Sequence, residues 1–80
     1  MLIPKDPAQE KFPLYSWWRQ EPGGKEFVVI EYNYNTTPKY WAIIGLKILE
    51  RYSGAYRVID ISRAKNLLEK GNWREITIKP

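Results

Sequence analysis

The chain has 80 residues with no histidine and no cysteine, 15% aromatic residues and a net charge of +4. The commonest general base, the commonest metal ligands and the best thiol nucleophile are therefore missing, so the chain is expected to bind rather than catalyse, with no cofactor and no metal. At this length it supports one modest core, held by packing alone because no disulfide is available.

The first seven residues hold no apolar run long enough for a secretory signal, and nowhere does the sequence approach the roughly 20 apolar residues of a membrane span. It reads as a soluble, cytoplasmic protein with no membrane partner. Pro4, Pro7, Pro13 and Pro22 each fix φ and delete a backbone donor, so neither a helix nor a central strand is expected to run far in this stretch. Residues 1–24 accordingly read as a proline-rich extended arm or strap, and residues 25–80 as a compact α+β domain. The arm carries Phe12, Leu14, Tyr15, Trp17 and Trp18, too much apolar surface for a free tail. One reading folds residues 15–18 back as an edge strand or strap over the core. The other leaves a tryptophan exposed for a partner.

Past Gly23-Gly24 the pattern sharpens. Residues 26–34 (EFVVIEYNY) are dense in β-branched and aromatic side chains and read as a strand. Thr36-Thr37-Pro38 then reads as a helix start, with threonine as cap and proline in the first helical position. Over residues 38–53 a helical wheel gathers Trp41, Ile44, Ile48, Leu49 and Tyr52 on one arc and Lys39, Lys47, Glu50 and Arg51 opposite, which predicts an amphipathic helix closed by Gly54. The competing reading is a strand over residues 40–52 with a Ser53-Gly54 hairpin, favoured by the isoleucines and Gly45. Residues 56–61 (YRVIDI) read as a strand, Ser62 as the cap of a short helix ending at Gly71, and residues 73–79 as a last strand. The expected fold is α+β: a small three- to four-stranded sheet with two helices packed on one face and an N-terminal strap. Right-handed crossovers would put both helices on one face of the sheet.

The basic excess is uneven. Residues 1–45 carry five basic and five acidic side chains, whereas residues 46–80 carry eight basic and four acidic. With parallel strands, two helix starts would meet at one edge of the sheet and bring Thr36, Thr37 and Lys39 opposite Ser62, Arg63 and Lys65, a potential anion site. Arg57 and Arg74 would add a basic row if their strands are neighbours. The expected partner is then a nucleic acid or a phosphate-containing ligand. The plainer account is that the hydroxyls only cap helices and the cations only solvate the surface. The alternative function is a protein-interaction module or inhibitor anchored by Trp17, Trp18, Tyr40 and Ile43, a surface that also leaves self-association open. The carboxylates of Glu31, Asp60 and Glu75 have no metal-site spacing, and each can pair with a cation on a neighbouring strand.

Overall fold

Two short helices and five strands follow one another as α1 (Pro7–Lys11), β1 (Trp17–Gln20), β2 (Lys25–Thr36), β3 (Trp41–Glu50), β4 (Tyr56–Asp60), α2 (Ile61–Glu69) and β5 (Trp73–Ile76). The structure is a computed structural model and describes residues 7–36 and 41–78. The strands form a single sheet in the order β4-β3-β2-β1-β5, with every neighbouring pair antiparallel. β1 to β4 run as a meander, and the α2 connection then carries the chain from the β4 edge to the opposite edge, where β5 pairs with β1.

This corrects the expected small sheet with two packed helices. Residues 41–50 are the strand β3, not a helix, so the sheet has five strands and the helical content falls to two short segments. The wheel was satisfied because WAIIGLKIL is apolar at almost every position, and such a run fits a helical period and a strand buried on both faces equally well. Three isoleucines and a glycine then favour the strand. Its ladder with β2 extends from Phe27↔Glu50 to Thr36↔Trp41, with irregularities between Val29 and Glu31 and between Asn33 and Tyr34. Gly54, expected to end a helix, instead turns the β3–β4 hairpin at φ +70°. Gly54 N–H donates to the Glu50 carbonyl at 3.1 Å, and Glu50 N–H donates to the Ala55 carbonyl at 2.9 Å. A helix C-terminus and a hairpin both need that positive φ, so glycine marks either.

Alternation along the strands sends Trp18, Phe27, Val29, Leu46, Ile48, Ile59 and Trp73 to one side of the sheet, where they pack with Ala8 of α1, Phe12 directly after it and Ala64 of α2. The centre of this core is aromatic. The Phe12 ring lies 5.4 Å from Trp18 and 5.8 Å from Trp73, and Phe27 lies 4.7 Å from Trp73. The polar tips of the buried rings all find acceptors. Tyr32 Oη donates to the Phe12 carbonyl at 2.6 Å, Trp18 Nε1 to Ser16 Oγ at 2.8 Å and Trp73 Nε1 to Gln20 Oε1 at 3.3 Å. The described part of the N-terminal segment is thus integral to the fold. Phe12 is fully buried, and β1 lies between β2 and β5 as an interior strand, where a strap or edge strand was one expectation.

Helix α2 is capped by Asp60, whose carboxylate accepts from Ser62 N–H at 2.8 Å. Ser62 is therefore the second residue of the helix and not its cap. Among the described residues no helix is long and apolar enough to cross a membrane.

Candidate functional site

Among the described residues, helices cover only one side of the sheet. On the other side the strand registers align one apolar residue from every strand: Tyr56 on β4 opposite Leu49, Leu49 opposite Val28, Val28 opposite Trp17, and Trp17 opposite Ile76 on β5. A sheet face turned to water ordinarily presents polar side chains. Here an apolar row crosses the whole sheet, with Val28 at its centre buried, Trp17, Leu49 and Ile76 half-buried among their neighbours and Tyr56 63% exposed. One rung away Val58 is 60% exposed, and Ile44, beside the second irregularity of the ladder, is 49% exposed.

Charged side chains border the row on both sides. Toward the β1–β2 turn stand Arg74, Arg19 and Glu26, each opposite the next, and Arg51, whose Nη1 donates to Glu26 Oε1 at 2.6 Å. Arg19 Nε lies 2.6 Å from Glu21 Oε1, and its Nη1 is 3.8 Å from Glu26 Oε2. The Glu21 hydrogen bond raises the basicity of Arg19, and the Glu26 hydrogen bond does the same for Arg51. Both guanidiniums are thus charged and already engaged. Arg74 faces the like charge of Arg19 across the ladder and has no ion pair among the described residues. On the other border Lys47 sits opposite Glu31, with its Nζ 5.2 Å from the centre of the Tyr56 ring.

The residues expected to bind anions are dispersed. β2 and β4 end at the same edge of the sheet, but residues 41–50 are a strand, so among the described residues only β4 is followed by a helix there and the expected pair of helix starts does not form. Thr36 belongs to β2, while Thr37, Lys39 and Tyr40 lie outside the described residues. Arg57 and Arg74 form no basic row, because β4 and β5 are opposite edges of the sheet and the two side chains alternate to opposite faces. Arg57 and Arg63 do come together, with Gln20, Asp60 and Leu67, around a cavity of about 170 Å³ between α2 and the sheet. Their charge there is largely answered: Arg57 Nη1 is 3.2 Å from Glu50 Oε1, and the Asp60 carboxylate lines the same cavity at the positive end of α2. Lys65 is half-buried on α2.

Of the expected protein anchors, Trp18 and Ile43 are 2% and 4% exposed and belong to the core, which corrects their assignment as contact residues. Trp17 is on the open face. Sequence reasoning missed Leu49, Tyr56, Val58 and Ile76, around the buried Val28, as a surface. The available signal was the runs FVVI and AIIGL, which are apolar at consecutive positions and so leave apolar side chains on both faces. Among the described residues no three acidic side chains gather as a metal site. Compared with known proteins, the chain matches no family model, no curated protein and no solved structure.

Proposed function

We propose that this chain is a non-catalytic protein-interaction module that receives its partner on the uncovered face of its sheet. The observation that carries this reading is the apolar row Tyr56–Leu49–Val28–Trp17–Ile76, which crosses all five strands and has no covering element among the described residues. Burying half-exposed aromatic and aliphatic side chains contributes about 25 cal/mol for each Å² removed from water, and Trp and Tyr are the usual anchors of such contacts. The mixed-sign border of Arg19, Glu26, Arg51, Lys47 and Glu31 supplies a polar rim that excludes solvent and selects the partner.

A nucleic acid is the second reading, favoured by Arg74 one rung from Trp17 and by Lys47 beside Tyr56, because stacked bases need aromatic faces with cations alongside. Protein docking fits better on two counts. Most of the row is aliphatic and offers no ring for stacking, and the carboxylates of Glu26 and Glu31 repel phosphates while Glu26 occupies Arg19 and Arg51.

Affinity capture from extracts of the cells that express the chain tests this, using wild type, Trp17→Glu, Tyr56→Glu and Arg57→Gln/Arg63→Gln baits of verified circular dichroism. A protein retained by wild type and by the arginine variant, but lost with both open-face variants and little affected by salt, is the expected result. Fluorescence anisotropy with labelled single- and double-stranded DNA and RNA at about 50 and about 200 mM salt is the counter-test. Tight, salt-sensitive binding that is lost with Arg74→Gln would replace protein docking with nucleic-acid recognition.

A further inference from the structure

We propose that β4 is a self-pairing edge, along which two copies of this chain join antiparallel about a two-fold axis at Val58 to make one continuous sheet. The direction of every backbone group on β4 follows from its ladder with β3. Glu50 N–H donates to the Ala55 carbonyl at 2.9 Å, so Glu50 and Ala55 form a hydrogen-bonded pair. In an antiparallel ladder such pairs alternate with non-bonded ones. Continued through the register, this makes Ile48↔Arg57 and Leu46↔Ile59 the bonded pairs and Leu49↔Tyr56, Lys47↔Val58 and Gly45↔Asp60 the non-bonded ones. Tyr56, Val58 and Asp60 therefore aim their N–H groups away from the sheet, as Tyr56 and Val58 also do their carbonyls. Among the described residues nothing accepts or donates there.

The strand carries few of the devices that keep an edge solitary, and its two charged residues, Arg57 and Asp60, are of opposite sign. Its sequence, YRVID, has no proline and no lysine, and its ladder with β3 is regular. The opposite edge is less suited: β5 has four residues and places Arg74 and Glu75 in mid-strand.

A second copy is the occupant that the spacing and the charges select. Antiparallel pairing of β4 with itself must keep the helix side of both copies on the same face of the joined sheet, which pairs residues of equal alternation. Centring on Val58 meets this condition and also matches the outward backbone groups, with Val58 against Val58 and Tyr56 against Asp60 of the second copy. Val58, 60% exposed in one chain, is then covered by its own counterpart. The only charges on the strand, Arg57 and Asp60, cancel, and Arg57 is already met by Glu50 at 3.2 Å, so the strand itself brings no net charge to the contact. The contact is isologous and closes at two copies, whereas β4 against β5 of the next copy would repeat without closure. The contact runs along the backbone edge of β4; it shares Tyr56 and Val58 with the margin of the open face but does not depend on the docking proposed there.

Sedimentation velocity over a concentration series, with amide hydrogen exchange at both ends of the series, tests the pairing. The expected result is a reversible species of twice the 9.5 kDa chain mass, accompanied by protection of the Tyr56, Val58 and Asp60 amides that grows with concentration. Val58→Pro removes an outward N–H without touching the β3 ladder, and Val58→Lys puts like charges on the axis. Both should shift the protein to the single-chain mass with an unchanged circular dichroism spectrum, and if the proline variant fails to fold the lysine variant decides. A wild type that stays at the single-chain mass throughout overturns the pairing. So does a dimer that survives Val58→Lys, a dimer lost only with Trp17→Glu, which would place the contact on the open face, or growth into fibres in place of a closed pair.

Discussion

Replacing Phe12 with alanine separates an arm lying on the surface from a segment that completes the core. The Phe12 side chain is fully buried, and its ring is 5.4 Å from Trp18 and 5.8 Å from Trp73, tilted on the first and edge-on to the second. Truncating a buried phenylalanine costs about 3–5 kcal/mol through lost transfer energy and the cavity left behind. The upper part of that range applies here, because aromatic pairs add about 0.5–1.5 kcal/mol each and the neighbouring tryptophans are too large to collapse into the space. The backbone at Phe12 also accepts the Tyr32 hydroxyl, so displacement of α1 would orphan a buried donor. A chain of this length has a total stability of about 4–12 kcal/mol, so the substitution removes a third of it or more. The assay is urea unfolding followed by intrinsic fluorescence, since Trp18 and Trp73 flank the lost ring, with thermal unfolding by circular dichroism in parallel. A fall in Tm of at least about 12 °C is expected, at about 4–8 °C for each kcal/mol. A loss below about 1 kcal/mol, the level of a surface substitution, would refute the placement of α1 in the core.

Burial, followed by the neighbouring Tyr34, raises the Tyr32 hydroxyl above its ordinary value. The folded chain then resists ionisation that the unfolded chain accepts. This contribution to stability is complete below the ordinary tyrosine value and drains as pH rises from there through the higher folded value. Alkaline unfolding monitored against pH should show that loss, and Tyr32→Phe should flatten it while costing about 1 kcal/mol at neutral pH for the missing bond to Phe12. An unchanged alkaline slope in that variant would contradict the buried placement. Asp60→Ala should destabilise α2 by about 1 kcal/mol, and Asp60→Ser should restore most of the loss, because either Asp or Ser can accept from the second N–H of the helix. Equal stabilities of the alanine and serine variants in urea would show that the cap carries no weight.

Several local features were legible in the residues themselves. The EFVVIEYNY and YRVID runs are strands, the stretch ending at Gly71 is a short helix, and Gly54 marks a positive-φ turn, all because β-branching, capping and glycine freedom act over a few residues. Residues 41–50 were different. Their unbroken apolarity satisfies a wheel and a ladder alike, and only the neighbours β2 and β4, which take up the β3 backbone hydrogen bonds on both sides, decided for the strand. That single decision removed the anion edge and drew Ile43 into the core, while the pairing of β1 with β2 and β5 buried Trp18 and put Arg74 at the edge opposite Arg57. It also created the surface that sequence could not show. Tyr56, Leu49, Val28, Trp17 and Ile76 are scattered across the chain, and they become one row only through register, a property of strand pairs that no single strand encodes.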